Sequence, residues 1–203
     1  MARGNNYQIQ ARQAKDLFLT YDQGDIIRKF NLQFDETYLY LPMLGSTYRI
    51  HRKTGDMERR AGEDWLDGNS HGEVMSILDL LCDSREDRHL SGRLKAMSAF
   101  GLQFHQNLLE DRDPWAEKFE RQPEGFRRAC QALGGKPMPI GDIAYSIEVF
   151  DGLAIVAQLW LGDEEFPANL RWLWDENALQ YIRYETMYYV VGVLLRRLAE
   201  EMD

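Results

Sequence analysis

The sequence predicts an α+β fold, a single domain in which an antiparallel sheet is flanked by helices. Residues 143–149 are apolar at every second position, which is the period of a strand with one buried face. Residues 153–161 are apolar except for Gln158, as in a strand buried on both faces, although a short buried helix has the same composition. Asp151-Gly152 between them is a hairpin signal, and residues 185–201 have the apolar spacing of an amphipathic helix.

A third strand is expected after the hairpin. Leu170, Trp172 and Trp174 alternate with Arg171 and Leu173, and the strand ends at Asp175. The connection before it reads Gly-Asp-Glu-Glu-Phe-Pro over residues 162–167, and its proline fixes a non-helical shape. If the second and third strands pair, the acidic residues of this connection are expected to lie near Asp175.

The amino-terminal half predicts helix over residues 5–30, with a break at Gly24-Asp25, followed by a short antiparallel meander. The meander's strands are expected at residues 38–44, 47–51 and 57–60. Pro42 lacks an amide hydrogen and therefore predicts an edge or a bulge in the first of them.

Three further helical signals follow. Ser70 and Glu73 have the spacing of a capping box ahead of a helix at 73–82. Asp113-Pro114 begins another helix that restarts at Pro123 and ends at 133, and residues 136–139 form an extended linker. Residues 89–104 fit one helical face (Leu94, Met97 and Phe100) or short extended pieces equally well.

Composition limits the function. The chain has 203 residues and a net charge of −9, so one core is expected and the average field repels nucleic-acid backbones and anionic membranes. No apolar run approaches the length of a membrane span, and the first residues lack the apolar core of a secretory signal. We therefore expect a cytoplasmic protein that binds neither nucleic acid nor membrane.

Residues with metal-binding or nucleophilic chemistry are few. Cys82 and Cys130 have no ligand spacing, and buried, reduced thiols are expected. The four histidines share no pairing typical of zinc sites, and the chain lacks a P-loop, a dinucleotide fingerprint and a nucleophile elbow. These histidines are His51, His71, His89 and His105.

The clustered carboxylates are the best candidate site in the sequence. If two of these acids converge without basic partners, one would have a raised pKa and could act as a general acid, or the pair could hold a hard cation such as magnesium. The structural interpretation, which we favour, has Asp163 capping a turn, the glutamates paired with Arg171 and Arg183 or solvated, and Phe166 anchoring the loop. The candidate ligand-binding residues are Trp160, Asp163, Glu164, Glu165, Phe166 and Asp175.

Aromatic residues are concentrated in the last fifth of the chain. Such residues suit a flat ligand, for example a tetrapyrrole or a nucleobase, but also an ordinary core or a dimer interface, which are commoner. The residues are Trp160, Phe166, Trp172, Trp174, Tyr181, Tyr184, Tyr188 and Tyr189.

The chain resembles a family of unknown function found in bacteria and archaea, mostly anaerobes, some of whose members carry an iron–sulfur segment. The most specific match is Trp-Leu-Gly-Asp-Glu-Glu-Phe-Pro at 160–167, and the strand end at 173–175 and Leu-Gly-Ser-Thr-Tyr at 44–48 also agree. Two isolated cysteines cannot supply the ligands of a cluster. The resemblance implies a shared fold and, by association only, redox or corrinoid/tetrapyrrole metabolism.

We accordingly expect a non-enzymatic binding or accessory protein with a small-molecule or protein partner and a homodimer as a further possibility. No cofactor is identified. The alternative is a divalent-cation-dependent enzyme that uses Asp163, Glu164, Glu165 and Asp175.

Overall fold

The structure is a computed structural model that describes residues 2–101 and 113–202. It confirms the α+β class, and the strands of these residues form two antiparallel five-stranded sheets. The helices are α1 (Ala2–Phe18), α2 (Gln23–Phe30), α3 (His71–Asp83), α4 (Pro114–Arg121), α5 (Pro123–Ala132) and α6 (Tyr184–Met202). The strands are β1 (Gln33–Phe34), β2 (Tyr38–Met43), β3 (Ser46–His51), β4 (Met57–Ala61), β5 (Asp64–Asp67), β6 (Leu94–Ala96), β7 (Lys136–Pro137), β8 (Ile143–Phe150), β9 (Leu153–Trp160) and β10 (Asn169–Asp175).

The chain divides into two compact units. The first comprises Met1–Arg88 and Leu179–Val193, and the second comprises His89–Ala178 and Leu194–Asp203. The single domain expected from length stays a prediction.

The first unit contains the predicted meander, extended by one short strand on each side. The order is β1-β2-β3-β4-β5, and Leu39, Leu41 and Ile50 are fully buried on one face. Pro42 pairs with Thr47 on β3, while β1 reaches only Leu39 and Tyr40, so Pro42 lies at a free edge as its missing amide hydrogen requires.

The amino-terminal helical stretch breaks earlier than predicted. Gly24 and Asp25 lie inside α2, because Asp22 caps this helix by accepting hydrogen bonds from their amides at 2.7 and 3.2 Å. The α3 cap agrees with the prediction: the amide of Glu73 donates to Ser70 Oγ at 3.4 Å. Glu73 itself is buried and accepts a hydrogen bond of 3.0 Å from the hydroxyl of Tyr48 on β3.

The second unit is built on the predicted hairpin. Its sheet order is β6-β10-β9-β8-β7, so β9 is the central strand and the helical alternative for residues 153–161 is wrong. Asp151 and Gly152 have φ of 52° and 80°, the two positive values that a tight hairpin turn with right-handed twist requires. Phe119 of α4 stacks on Phe126 of α5 at 4.7 Å between ring centroids, and both rings are fully buried.

Within the described residues 89–101, this stretch contains a strand in place of a continuous helical face. β6 pairs with the end of β10, and a short 3₁₀ helix follows at Met97–Ala99. The remainder of this stretch from residue 102, together with His105, lies outside the described residues. The linker expected at 136–139 contains β7, a two-residue edge strand.

Candidate functional site

The acidic loop (residues 162–167) is a self-contained turn. Asp163 Oδ1 accepts hydrogen bonds from the amides of Glu165 and Phe166 at 2.8 and 2.7 Å, and the Asp163 amide donates to the carbonyl of Phe166 at 2.9 Å. These backbone donors lower the pKa of Asp163 below its ordinary value. The prediction that Asp163 caps a turn is confirmed.

Asp175 is buried and anchors the loop that precedes β6. Its Oδ1 accepts from the amide and hydroxyl of Ser91 at 3.1 Å each and from the Asn177 amide at 2.8 Å, while Oδ2 accepts from the Gly92 amide at 2.8 Å. Burial raises the pKa of Asp175, but the amides of Asn177, Ser91 and Gly92 outweigh it, and the pKa lies below its ordinary value. Both carboxylate oxygens are therefore occupied.

The structure does not bring Asp175 next to the acidic loop, and that expectation is wrong. β9 and β10 do pair, but antiparallel, with Asn169 opposite Trp160 and Trp174 opposite Ile155. The loop therefore lies at one end of β10 and Asp175 at the other, about 20 Å away along the strand. Asp175 and the acidic loop could lie close together only if β10 were much shorter.

The expected partners of the loop also differ. Arg171 donates to Asn169 at 3.1 Å and Arg183 pairs with Asp79 and Asp83, so Glu164 and Glu165 have no ion pair among the described residues. Phe166 is 67% exposed and does not anchor the loop. The loop is anchored at Gly162 instead of at Phe166, because the Gly162 amide donates to Glu120 Oε1 at 2.6 Å.

The late aromatic residues are divided between core and surface. Trp174 is fully buried in the second unit and Tyr181 is buried in the first, as expected of core residues. Trp160, Phe166 and Tyr188 are exposed. A ligand role for Trp160 and the acidic loop stays a prediction.

Residues 2–101 and 113–202 contain neither a cluster of metal ligands nor a helix suited to cross a membrane. Histidine, cysteine and carboxylate side chains form no group of three or more that could hold a metal ion in this part of the chain. None of its helices has the length and apolar character needed to cross a bilayer.

A concave site that the sequence did not point to lies in the first unit. This α1 cavity has a volume of about 410 Å³, within the usual range for small-molecule sites. It is bounded by α1, by the turn between β3 and β4 and by the start of α3. The residues that line it are Tyr7, Gln8, Ala11, Arg12, Lys15, Asp16, Thr54, Asp56, Asn69 and His71.

Lys15 closes one side of the cavity. Its Nζ donates to Asp56 Oδ1 at 2.8 Å and to Asn69 Oδ1 at 2.6 Å. The hydrogen bond from Lys15 and a second from Thr54 lower the pKa of Asp56. Asn69 is itself fixed, because its side chain exchanges hydrogen bonds with the amide and carbonyl of Met57. The ion pair between Lys15 and Asp56 therefore forms a fixed wall of the cavity.

Arg12 and Asp16 supply the uncommitted charges of the cavity. They lie one turn apart on α1, both exposed, and neither has an ion-pair partner among the described residues. An arginine four residues before an acid is the weaker orientation for a helical ion pair. A guanidinium and a carboxylate thus face the same cavity without neutralising each other by direct contact.

His71 is held in place by its neighbours. The ring lies 4.8 Å from Tyr7 and 5.0 Å from Tyr189 between centroids, and Nε2 lies 3.0 Å from Gln10 Oε1. Burial lowers the pKa of His71, so the ring is neutral at physiological pH. A neutral ring whose Nε2–H donates to Gln10 leaves Nδ1 as an acceptor.

A second cavity of about 260 Å³ lies on the other side of α1, and its charged groups already satisfy one another. The Arg183 amide donates to Asp79 Oδ2 at 2.9 Å, and its guanidinium pairs with Asp79 at 3.3 Å and with Asp83. Burial and the neighbouring Asp83 raise the pKa of Asp79. We interpret this Asp79 cluster as a clamp between α3 and the segment before α6.

Sequence reasoning missed the α1 cavity because its polar residues come from separate segments with no shared motif. The available signal was the i, i+3, i+4 spacing of Arg12, Lys15 and Asp16, which puts three charges on one helical face. That pattern is ordinarily a solvated surface.

Comparison with known proteins gives one result. The family model described as "Domain of unknown function (DUF3786)" matches residues 22–197. The comparisons with curated proteins and with solved structures found no match. The matched range includes the β3–β4 turn and the start of α3, and α1 precedes it.

Proposed function

This chain belongs to the DUF3786 family, whose description assigns no activity, and we propose that it is a non-catalytic protein that binds a small zwitterion in the α1 cavity. The single observation that carries the proposal is the pair Arg12 and Asp16 on the wall of that cavity, both lacking an ion-pair partner among the described residues. The guanidinium binds the ligand's carboxylate and the Asp16 carboxylate binds its ammonium.

The charge of the lining supports a zwitterion over a simple anion or cation. Two cationic side chains, Arg12 and Lys15, are balanced by two anionic ones, Asp16 and Asp56. Since Lys15 and Asp56 are paired with each other, one charge of each sign remains for the ligand. A ligand with a single charge would leave one of these two groups without a partner.

The remaining lining suits an amino-acid-like molecule. His71 Nδ1 and the Gln8 amide offer further hydrogen bonds, while Tyr7 and Ala11 supply apolar surface. The volume of about 410 Å³ admits a molecule larger than the smallest amino acids.

A panel of small molecules tests the proposal by thermal shift. We expect at least one free amino acid to raise the melting temperature, because a ligand that binds only the folded state stabilises it. Its N-acetyl form lacks the cation and its methyl ester lacks the anion, so both should give a smaller rise at equal concentration. Equal rises for all three forms, or no rise for any free amino acid, would contradict the proposal.

Variants identify the site. Arg12→Gln and Asp16→Asn are expected to abolish the ligand-induced rise while leaving the melting temperature of the free protein unchanged, because both residues are exposed. Arg128→Gln on α5 is the matched control, since Arg128 is also exposed but lies in the second unit. It should retain the full response.

Two alternatives are less well supported. The divalent-cation enzyme needs the acidic loop and Asp175 together, and β10 separates them. A role in redox or corrinoid/tetrapyrrole metabolism rests on the resemblance alone, without a supporting contact among the described residues. Neither is part of the proposal.

A further inference from the structure

The side chains that α1 contributes to the α1 cavity form two rows. Positions four residues apart lie on the same face of a helix, so each row repeats about once per turn. Tyr7 begins the first row, and Arg12 of the second row follows five residues later, about 7.5 Å along the helix axis. The first row is Tyr7, Ala11 and Lys15, and the second is Gln8, Arg12 and Asp16. The cavity therefore has an aromatic end at Tyr7 and a charged end at Arg12 and Asp16.

Two rings form the aromatic end. The Tyr7 ring is 51% exposed, and its centroid lies 4.8 Å from that of His71, with an angle of 51° between the ring planes. His71 also makes an edge-to-face contact with Tyr189 at 5.0 Å. Exposed ring surface in a cavity is suited to a ligand ring, because aromatic pairs gain stability beyond that of the buried area alone.

Ala11 leaves room for such a ring. Its side chain is a single methyl group, and it lies between Tyr7 and Lys15 in the first row. The volume of about 410 Å³ includes the space beside this methyl group. A large, flat side chain of a ligand can therefore lie over Ala11 and contact the Tyr7 ring.

The charges of the lining favour a ligand whose side chain is neutral. Lys15 and Asp56 pair with each other at 2.8 Å. The ammonium and carboxylate of the ligand, its head group, take Asp16 and Arg12. A further charge on the ligand would lack a partner in this lining, and an unpaired charge is costly to remove from water.

His71 adds a preference for a ring that carries a hydrogen-bond donor. Its Nε2–H donates to Gln10 Oε1 at 3.0 Å, and Nδ1 has no hydrogen-bond partner among the described residues. The neutral ring therefore presents one free acceptor at the aromatic end of the cavity. An indole N–H or a phenol O–H satisfies this acceptor, whereas an unsubstituted phenyl ring leaves it unpaired.

We infer that the α1 cavity selects an aromatic amino acid whose ring carries a donor, which means tryptophan or tyrosine. The ligand ring packs over Ala11 against Tyr7, and its N–H or O–H donates to His71 Nδ1. The inference rests on the proposed function, because it assumes that the head group binds Arg12 and Asp16. It adds the identity of the ligand's side chain.

Isothermal titration calorimetry on the full chain at pH 7 tests the inference by ranking the twenty free amino acids. The tighter of tryptophan and tyrosine should bind about 2- to 10-fold more tightly than phenylalanine, the range for one neutral hydrogen bond. Phenylalanine should in turn bind about 2- to 10-fold more tightly than leucine, the range for one aromatic pair.

Two variants separate the contributions of the two rings. Tyr7→Leu should remove the preference for aromatic amino acids over leucine, and His71→Phe should remove the preference for tryptophan and tyrosine over phenylalanine. Because Tyr7 is 51% exposed, the fold should tolerate its replacement. Ile9→Ala is the matched control, since Ile9 is 46% exposed on α1 but does not line the cavity, and it should keep the full ranking.

The outcomes distinguish this inference from the proposed function. If a non-aromatic amino acid or phenylalanine binds as tightly as tryptophan and tyrosine, the inference is overturned while the proposed function stands. A ranking that is unchanged in both Tyr7→Leu and His71→Phe also overturns the inference alone. If none of the free amino acids binds, both are overturned.

Discussion

The carboxylate of Asp175 accepts a hydrogen bond of 2.8 Å from the backbone amide of Gly92, 83 residues earlier in the chain. Ser91 and Asn177 donate to the other oxygen of the same carboxylate. This group therefore joins the end of β10 to the loop before β6, and it uses both of its oxygens for this purpose.

Asp175→Asn should lower the free energy of unfolding by about 1.5 to 3 kcal/mol, the range for hydrogen bonds to charged groups. An amide must present its NH₂ group to at least one of the backbone N–H donors. Urea denaturation at pH 7 measures the loss. Asp163→Asn is the control, because Asp163 uses only Oδ1, which asparagine retains, and its effect should be smaller.

The pKa of Asp175 should lie below the ordinary value of 3.8, and the pKa of Asp79 should lie above it. The lowered pKa of Asp175 means that its contribution to stability is present above pH 3.8 and is lost as the pH falls through the folded-state pKa. The raised pKa of Asp79 means that its contribution is present below pH 3.8 and is lost as the pH rises through the folded-state pKa. Carboxyl-carbon NMR titration measures both. A lowered pKa at Asp79 as well would contradict the statement that burial and Asp83 outweigh the hydrogen bond from the Arg183 amide.

The two cysteines should be inert in the folded protein. Burial raises the pKa of each thiol to about 12, and at Cys82 the nearby Asp83 and Asp79 add to the effect. Because the thiolate is the reactive form, a disulfide reagent at pH 8 should modify neither residue rapidly in the native state and both in denaturant. Rapid native-state labelling of Cys82 would contradict this prediction.

Gly162→Ala should be destabilising by about 1 to 3 kcal/mol, the usual cost of overpacking. A Cβ atom there would lie 2.9 Å from Glu120 Oε1 and 3.0 Å from the Ala168 nitrogen. Gly192→Ala on α6 is the matched substitution, because a Cβ atom there meets nothing within 4 Å. It should raise stability by about 0.5 to 1 kcal/mol, since alanine favours helix. Thermal unfolding compares the two, and equal signs would contradict this description of the acidic loop.

Much of the fold was predictable because it depends on local pattern. The alternation at 143–149, the Asp151-Gly152 turn and the caps at Ser70 and Asp113 each specify backbone geometry over a few residues. The sequence placed the break at Gly24-Asp25, whereas the helix begins just after Asp22. Glycine and aspartate occur in the first turn of a helix as well as in a loop, so the pattern did not fix the boundary.

The candidate site was not predictable in the same way. Adjacent acids at 163–165 attracted attention because they are contiguous, yet the long antiparallel strand β10 separates them from Asp175. The charges of the α1 cavity are brought together by the packing of α1 beside the β3–β4 turn, where Lys15 contacts Asp56 over 41 residues of sequence. No spacing rule encodes that distance, because it depends on tertiary structure.

The most direct test of the account is an NMR titration of the ¹⁵N-labelled protein with each free amino acid. We predict that at least one of them shifts the amide resonances of Thr54, Asp56, Asn69 and His71 in a saturable manner, leaves those of the acidic loop unchanged, and loses this effect in Arg12→Gln. Saturable shifts confined to Trp160 and residues 162–167, or no saturable shift with any amino acid, would contradict the assignment of the α1 cavity as the binding site.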